Sequence, residues 1–534
     1  MKTIYRFLLL LSAALCSCSE TPSFNFNNPY DPDNSGISIY APAAPGAATV
    51  TSADGQLSLS WTAVSDATAY EVWFGTSGSS GDAAKFGEDV TITGAVITSL
   101  TNGTTYYIWL KSKNSLGTSG FGEVASGIPL SIPAAPGAAS VTPANGQILL
   151  LWKAVPFAAA YEVWYGTSGS SGDATKFGED VTVTSAAITP LTNGTTYYIW
   201  LKAKNSVGTS GFGAAVSGTP FIPSAWNYTT PLTSVIYDHA MVSNNNYIYG
   251  VGVDSSSGLI GVQYAPVNAD GTAGSWTFTT SFATERRFPA SVVYNGYIYV
   301  IGGLNGGTLC LNDVQYATIN LDGTIGSWTA TTSFPTARYG HTSVVYNNKI
   351  YVIGGCTNSG TLSSLNDVQY APINADGTIG TWSAATSFTT ARFSHASVVN
   401  NGYIYVIGGY GHINESQHAY CNDVQYATIN LDGTIGSWNT TTEFPTPRCN
   451  FAGVAYNGYI YILGGLISGS YRTNDMQYAP FNADGTVGAW AALTSFTTVR
   501  CSFASTVCNG YLYISGGSSD SASLKDVQYF KFPD

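Results

Sequence analysis

Charged side chains are scarce in this chain. Of its 534 residues only 9% are Asp, Glu, Lys or Arg, and 31 acidic residues against 19 basic ones give a formal net charge of −12. Such a balance opposes sequence-independent binding to phosphate backbones, so we do not expect nucleic acid as a partner. The 44% hydrophobic content argues for packed cores and excludes disorder as the main state.

Methionine and long apolar runs are also rare. The chain has 3 Met but 36 Tyr, 59 Gly and 12 Trp, a composition that favours β-structure over helices. Beyond the N-terminal segment, no stretch approaches the about 20 apolar residues that a membrane-spanning helix needs. The length predicts about three to four domains.

Sequence motifs of several enzyme classes are missing. The chain has no P-loop, no dinucleotide-binding glycine fingerprint, no HExxH motif and no nucleophile elbow, and we expect no cofactor. No CxxC pair occurs among the six cysteines that follow residue 18, and the sequence leaves their disulfide pairing open.

The first residues have the pattern of a secretory signal. A basic start precedes an apolar run from Phe7 to Leu15, which is too short for a permanent membrane span. The stretch Leu15-Cys16-Ser17-Cys18 resembles the bacterial lipobox. The resemblance implies a signal peptide over residues 1–17, lipidation of Cys18, a tether over 18–40 and anchoring in the bacterial cell envelope, at the outer membrane or cell surface. Ordinary secretion is the alternative.

Two copies of one module follow, at a period of 91 residues. Strands are indicated by alternating apolar residues between Gly- and Asn-rich turns. The tryptophans Trp61, Trp73 and Trp109 recur as Trp152, Trp164 and Trp200. An early Trp, a following Tyr and a Leu-x-x-Gly-Thr-x-Tyr motif at Leu100 and Leu191 resemble fibronectin type III modules. The resemblance implies two β-sandwiches, over residues 41–129 and 131–221, which we expect to act as a stalk.

The remaining tryptophans mark a second repeat. They stand at positions 226, 276, 328, 382, 438 and 490, at spacings of 50 to 56 residues, and such periods in β-rich sequence are typical of propeller blades. Gly-Gly after a strand, then a spaced Tyr and Trp, resembles the kelch repeat over residues 223–534. The resemblance implies an all-β fold with a six-bladed kelch β-propeller. Because the last unit lacks a fourth strand, we expect the segment at Trp226 to supply it.

The repeats vary in length at one place only, between Gly-Gly and the following Tyr. Antiparallel strands place these loops on the same face as the blade-to-blade crossings, and we call it the variable face. Loops on a rigid scaffold often bind ligands, so this face is the predicted binding surface; tolerated loop drift is the alternative. Candidate ligand-binding residues come from its longest loop, 410–421, and from a loop of the fifth unit: Tyr410, His412, His418, Tyr420, Tyr471 and Arg472.

The longest loop also offers a weak metal candidate. His412, Glu415, His418 and Cys421 recur every third residue, and all four side chains can ligate zinc. Mixed Cys, His and Glu ligands are an uncommon structural set, so we predict no metal. The repeated Asn-x-Asp-Gly is interpreted as a tight turn, not a calcium loop.

An arginine and an aspartate recur at fixed places in five units, and the first unit lacks both, with Ile236 and Gly261 instead. Joint loss predicts a structural ion pair within each blade; a ring of Arg for an anionic ligand is the alternative. The residues are Arg286, Arg338, Arg392, Arg448 and Arg500, with Asp313, Asp367, Asp423, Asp475 and Asp526. His239, His341 and His395 follow at a nearby position of three units, where we expect packing rather than a metal site.

These patterns predict a non-catalytic bacterial cell-surface lipoprotein, monomeric, that binds an extracellular protein or glycan through the variable face. No catalytic residue is identified, and the only predicted membrane contact is the lipid. A carbohydrate-active enzyme is the first alternative, since galactose oxidase and a sialic-acid epimerase resemble this propeller, but similarity of fold does not fix function. A structural component of the envelope is the second.

Overall fold

The computed structural model describes residues 40–253, 260–359, 363–414, 417–468 and 471–532. The predicted signal peptide, Cys18 and the predicted tether up to residue 39 lie outside these ranges. The chain divides into two compact units, Met1–Ile132 and Pro133–Asp534. In the part of the chain that the structure describes, no helix is long and apolar enough to cross a membrane.

The first module consists of two antiparallel sheets. One contains Thr49–Ala53, Gln56–Ser60 and Gly94–Ile97, and the other contains Ala69–Gly75, Ala84–Lys85, Tyr106–Asn114, Gly117–Thr118 and Ala125–Gly127, with a short 3-10 helix at Ser80–Asp82. Alternate side chains of the strands meet between the sheets, where Trp61 packs edge-on against Tyr70 with ring centroids 5.5 Å apart. The alternation that the sequence shows thus builds a sandwich core.

The second module repeats this architecture. Its strands are Ser140–Ala144, Gln147–Leu151 and Ser185–Ile188 in one sheet, and Ala160–Gly166, Thr175–Val181, Tyr197–Lys204 and Val216–Gly218 in the other, with a 3-10 helix at Ser171–Asp173. Trp152 and Tyr161 form the equivalent pair, at 5.4 Å. This module belongs to the same compact unit as the repeat domain and packs against it. The second module therefore differs from the stalk that we expected from the sequence.

The repeat domain consists of six antiparallel sheets with four main strands each. In order they comprise Ala240–Asn244, Tyr247–Val253, Ile260–Pro266 and Thr277–Thr279; Ala290–Tyr294, Tyr297–Asn305, Leu309–Thr318 and Thr329–Thr331; Thr342–Tyr346, Lys349–Cys356, Ser364–Pro372 and Ser383–Ala385; Ala396–Asn400, Tyr403–Asn414, Gln417–Thr428 and Asn439–Thr441, with a short strand at Arg392–Phe393; Ala452–Tyr456, Tyr459–Ile467, Tyr471–Pro480 and Ala491–Leu493; and Ala504–Cys508, Tyr511–Ser515 and Val527–Lys531.

The fourth strand of the sixth sheet comes from the start of the domain. Trp226–Thr229 pairs antiparallel with Val527–Lys531, with Trp226 opposite Phe530. The sequence had predicted this closing strand from the missing end of the last unit. Together the sheets form an all-β domain that is consistent with a β-propeller.

The tryptophan of each unit connects neighbouring sheets. The indole N–H of Trp382 donates to the carbonyl of Thr332, at 2.9 Å, and its ring meets Phe334 edge-on. Trp226 makes the equivalent bond to the carbonyl of Thr494, at 2.9 Å. A Trp that is buried or half-buried and has a satisfied N–H contributes a large apolar contact without an unpaired donor, which explains its place in every unit.

The glycine pair lies inside the second strand in units two to five and directly after it in unit six, and it leaves room for two neighbouring segments. A Cβ on Gly354 would lie 2.9 Å from the carbonyl oxygen of Arg392, in the next unit. A Cβ on Gly355, which has a φ of +100°, would lie 2.7 Å from the Cβ of His341, in the same unit. The repeated Gly-Gly is thus required by close backbone approach on both sides.

Each Asn-x-Asp-Gly segment forms a tight turn. In the third sheet the Asp376 carboxylate accepts hydrogen bonds from the backbone N–H and the hydroxyl of Thr378, at 3.0 and 2.6 Å, and Asn374 donates to the same hydroxyl. These bonds occupy the side chains within the turn, as expected for an Asx-type turn.

Candidate functional site

The variable face is formed by the segments that the strand order predicts. The segment that crosses from one sheet to the next pairs with the end of the second strand, beyond Gly-Gly, as in the bridges of Tyr339 with Cys356 and of Cys449 with Leu466. The crossings and the loops of variable length therefore lie on the same face of the repeat domain.

A buried Arg–Asp pair stands beneath this face in five units. Arg338, whose side chain is fully buried, donates from Nη1 and Nη2 to the two carboxylate oxygens of Asp367, at 2.6 and 2.9 Å. Its remaining bonds go to the carbonyls of Gly354 and Thr336. Equivalent ion pairs are Arg286–Asp313, Arg392–Asp423, Arg448–Asp475 and Arg500–Asp526.

These contacts explain what the pairs can do. Burial alone would raise the pKa of Asp367, but the hydrogen bonds and charge of Arg338 more than offset it, and the pKa lies below its usual value. Because the guanidinium groups are buried and bonded within their own units, they are not presented to an anionic ligand. The geometry is that of the structural pair rather than of the alternative Arg ring.

A closed ring of backbone hydrogen bonds surrounds the mouth of the central channel. Each unit contributes the second residue after its Arg position, and the N–H of that residue donates to the carbonyl of its counterpart in the preceding unit, at 2.7 to 3.3 Å. The six residues of this mouth ring are Asp238, Phe288, Gly340, Ser394, Asn450 and Ser502.

All members of the mouth ring have positive φ angles, between 50° and 60°. Left-handed backbone is costly for Phe288 in particular, and such conformations persist only where the surroundings impose them. The circular hydrogen bonding supplies that constraint. The sequence carries no signal for this ring because it is made of main-chain atoms and its side chains share no chemistry.

The residues that follow the mouth ring line the channel. They surround a cavity of about 140 Å³ and are His239, Pro289, His341, His395, Phe451 and Phe503. His239 bonds to the hydroxyl of Ser515 and His395 to that of Thr342, at 2.9 and 3.0 Å, and burial lowers the pKa of both imidazoles to about 3. Within the described ranges no group of three or more His, Cys, Asp or Glu could hold a metal ion.

The residue immediately after each Arg position differs between the two halves of the mouth. Four consecutive units carry Tyr237, Arg287, Tyr339 and Phe393, whereas the last two carry Cys449 and Cys501. Both of these cysteines are buried, and the six cysteines that the structure describes are free thiols. The mouth is therefore bulky on one side and small on the other. Comparing this column between units would have found the asymmetry in the sequence.

On the bulky side, aromatic side chains form a continuous row. Ring centroids are 5.8 Å apart from Phe288 to Tyr339, 6.0 Å from Tyr339 to Phe393 and 5.7 Å from Phe393 to Tyr410. Tyr410 continues the row to Tyr420, at 5.4 Å. We refer to these five residues as the aromatic row.

An ion pair stands at the start of the row. Arg287 donates to the carboxylate of Asp238 at 2.5 Å, and its guanidinium lies 4.5 Å from the ring centroid of Tyr237. The Asp238 side chain is 4% exposed and that of Arg287 38%. Burial raises the pKa of Asp238 despite the opposing effects of Ser502 and Arg287. None of these residues was predicted from the sequence.

The predicted long loop of the fourth unit is mostly an extended hairpin. Its strands, Tyr403–Asn414 and Gln417–Thr428, continue past Gly-Gly, and Tyr410 lies opposite Tyr420. Alternation places Tyr420 and His418 on one side of the hairpin, where the ring of Tyr410 stacks on His418 at 5.3 Å. Three of the candidate ligand-binding residues are thus brought together.

The two described residues of the weak metal candidate, His418 and Cys421, are not brought together. His418 and Cys421 are three positions apart on a strand and point to opposite sides. Cys421 lies beside Gly411, and burial raises its thiol pKa. Glu415 and the side chain of His412 lie outside the described residues.

The remaining two candidates, Tyr471 and Arg472, lie on the hairpin of the fifth unit. Tyr471 is 72% exposed. Arg472 bonds to Asp520 of the sixth unit at 3.1 Å, and so connects two hairpins of the small side.

Comparisons with known proteins agree on the repeat. The model described as the KLHDC2/KLHL20/DRC7 Kelch-repeats domain matches residues 238–410, and the Kelch motif matches 500–532. Beta-scruin of Limulus polyphemus is 26% identical over 45% of this chain and 26% of its own length. Kelch-like protein 15 of Danio rerio is 24% identical over 45% of this chain and 40% of its own.

Two further similarities extend the comparison. Kelch-like protein terF of Aspergillus terreus is 24% identical over 49% of this chain and 57% of its own length. The chain thus spans between a quarter and just over half of these relatives. A solved structure titled "Structure of YjhT" is 16% identical, covers 57% of this chain and 97% of its own, and has a TM-score of 0.47. Together with the repeated Gly-Gly, Tyr and Trp, the family matches show kelch repeats in residues 238–410 and 500–532 of this chain.

Proposed function

We propose that this chain is a non-catalytic bacterial cell-surface lipoprotein that binds an extracellular protein or glycan at the mouth of a six-bladed kelch propeller. The kelch-repeat relatives suggest an interaction role. The observation that carries the proposal is the aromatic row, which runs from the mouth ring to the extended hairpin. Aromatic rings beside an Arg–Asp pair offer large contact areas with directional polar groups at one end.

The site is pre-organised. Phe288 belongs to the hydrogen-bonded mouth ring, and the buried Tyr339 packs between the rings of Phe288 and Phe393 and holds them in place. The hairpin positions Tyr410 and Tyr420 opposite each other. Little side-chain entropy is lost when such residues contact a ligand, which favours binding by a rigid surface.

Binding is tested with the full chain on a glycan array and on an array of extracellular proteins. Two variants, Phe393→Cys and Tyr410→Ala, should each lower the affinity for a captured ligand about tenfold or more. Phe393→Cys installs the residue type of the fifth and sixth units. Leu321→Ala is the matched control, because Leu321 is 98% exposed on a turn at the opposite face. Failure of the full chain to capture any probe, or equal binding by all variants, contradicts the proposal.

We further propose that Cys18 carries the lipid, and that the tether and the first module, which resembles fibronectin type III domains, hold the binding unit away from the membrane. The second module resembles the same family. Its packing against the repeat domain supports a role as part of the binding unit rather than as a stalk.

One observation favours a carbohydrate-active enzyme as a second candidate. Asp238 is a buried carboxyl with a raised pKa beside Arg287 at the channel mouth, an environment that enzymes use for acid–base groups. Turnover of a sugar substrate that is abolished by Asp238→Asn, while ligand capture persists, would favour this candidate.

A further inference from the structure

The two copies of the module differ on one outward face. On the second strand of the three-stranded sheet, inward residues stay apolar, as with Leu59 in the first copy and Leu150 in the second, which are 5% and 1% exposed. The outward residues change from Ser58, Ser60 and Thr62 in the first copy to Leu149, Leu151 and Lys153 in the second. Apolar residues on an outward face are stable where another surface covers them. Of the two copies, the second is the one with such an apolar outward face.

The cover is the fifth sheet of the repeat domain. Leu149 packs on a buried cluster that contains Leu493. Leu151 lines a cleft together with Thr441 and Asp484. At the rim of this cleft Lys153, whose side chain is 86% exposed, forms a surface ion pair with Asp484 at 2.9 Å. The adjacent edge strand contributes Thr142, whose hydroxyl donates to the carbonyl of Ala489 at 2.7 Å.

Tyr478 lies at the centre of this contact. Its hydroxyl donates to the carbonyl of Pro143, and its ring lies 6.1 Å from that of Phe221. It is 2% exposed, whereas the equivalent tyrosines of the first four sheets are half-buried. The second module is therefore what buries it.

The fifth sheet is adapted to this contact in its outer strand. Ala491 and Leu493 are 6% and 8% exposed. The first residue of this strand is exposed in the first four sheets, and the first and third residues are polar in most of them: Thr277 and Thr279, Thr329 and Thr331, Ser383 and Ala385, and Asn439 and Thr441. Two surfaces of one chain have thus both departed from their repeat patterns at the place where they meet.

The first residue of the closing strand, Trp226, lies in the same buried cluster. Trp226 packs against Phe496 and Phe530, at 5.6 and 5.4 Å, and shares its buried cluster with Ala144 of the second module and with Leu493. Trp226–Thr229 has four residues and pairs on one side only, with Val527–Lys531. A short edge strand opens easily unless side-chain packing holds it.

We propose that the second module is a latch, which is held to the fifth sheet by Leu149, Leu151 and Lys153 and keeps the closing strand Trp226–Thr229 in place. The module leads directly into that strand, since only residues 219–225 separate Val216–Gly218 from Trp226. When the module is fixed on the fifth sheet, the point from which the strand enters the sixth sheet is also fixed. The strand therefore loses less conformational entropy when it pairs.

The duplication supplies the variant that tests this. In the full chain, Leu149→Ser, Leu151→Ser and Lys153→Thr are combined, which gives the second module the residues that the first already tolerates at these positions. Hydroxyl-radical labelling of Tyr478, which the docked module buries, reports docking, and amide hydrogen exchange in Trp226–Thr229, followed by mass spectrometry, reports the state of the closing strand. We expect the labelling of Tyr478 to rise severalfold and exchange in Trp226–Thr229 to accelerate about tenfold or more. The reciprocal change in the first module, Ser58→Leu with Ser60→Leu and Thr62→Lys, should leave exchange in Trp226–Thr229 as it was.

Two results overturn the proposal. If Tyr478 stays protected from labelling, the three residues do not hold the module. If Tyr478 becomes labelled while Trp226–Thr229 exchanges as before, docking does not protect the closing strand. Ala491→Asn with Leu493→Thr, which installs the residues of the fourth sheet, repeats the test from the other side of the interface and should give the same acceleration.

Discussion

Arg338 and Asp367 face each other through two parallel hydrogen bonds, of 2.6 and 2.9 Å, in the third repeat unit. The Arg side chain is fully buried, whereas that of Asp is 28% exposed. The two partners therefore differ in what their loss leaves behind: a buried cation without its counter-charge in one case, and a half-solvated carboxylate in the other.

Breaking this pair should cost more than removing it. Asp367→Gly leaves the Arg338 guanidinium buried and unpaired, and we expect a loss of about 3–5 kcal/mol in the free energy of unfolding. The double variant Arg338→Ile with Asp367→Gly copies the first unit, which has Ile236 and Gly261. It should be more stable than Asp367→Gly alone. Chemical denaturation of the two variants and the unaltered chain decides, and a double variant that is less stable than Asp367→Gly would contradict the pairing.

Acid sensitivity should come first from the channel histidines. His239 and His395 are buried and neutral, with pKa values of about 3 against 6.5 in the unfolded chain. Between these values the unfolded state binds more protons than the folded state. The stability is thus complete above about pH 6.5 and falls by about 1.4 kcal/mol per pH unit for each histidine as the pH is lowered.

The repeat provides a substitution that removes this effect. Phe occupies the same position in the fifth and sixth units, as Phe451 and Phe503, so His395→Phe should fold. Its free energy of unfolding, measured by denaturation between pH 6 and 4.5, should fall less steeply than that of the unaltered chain. An equal slope in both proteins would show that His395 is not buried in its neutral form.

Much of the fold could be predicted because individual units that depart from the repeat pattern show which residues act together. The incomplete sixth unit predicted that Trp226 supplies a strand, and the joint loss of Arg and Asp in the first unit predicted their pairing. Both inferences compare equivalent positions, where a change in one copy is informative. The extended hairpin at Tyr410 was missed, because its polar and aromatic residues resemble a loop when no partner strand is known.

The site was harder to predict for physical reasons. The mouth ring is made by the main chain, and residues as different as Phe288 and Gly340 serve equally well. The docking of the second module depends on Leu149 and Leu493, which lie far apart in sequence and look like ordinary strand residues. Only the comparison with Ser58 and with the polar outer strands shows that both have changed.

The proposed lipid anchor leads to a prediction that is independent of the fold. In a bacterial expression host, Cys18→Ser should remove lipid labelling with a fatty-acid analogue and move the protein from the membrane fraction to the soluble fraction. Cys16→Ser is the matched control in the same segment, because the residue before it is Leu15 rather than a small residue, and it should leave labelling intact. Labelling that persists in Cys18→Ser would contradict lipidation at this residue.

The second glycine of each Gly-Gly pair should be irreplaceable for a reason that backbone angle alone does not give. Gly355 has a φ of +100°, and an added Cβ would lie 2.7 Å from the Cβ of His341 and 3.0 Å from the carbonyl oxygen of Tyr339. Neither contact can relax by rotating a side chain, so overpacking and backbone strain add, and Gly355→Ala should lower the free energy of unfolding by about 3 kcal/mol or more. Gly306 also has a positive φ, of +56°, but nothing lies within 4 Å of its added Cβ. Gly306→Ala should therefore cost only about 1 kcal/mol, and similar losses in the two variants, measured by denaturation, would show that close packing does not select the glycine.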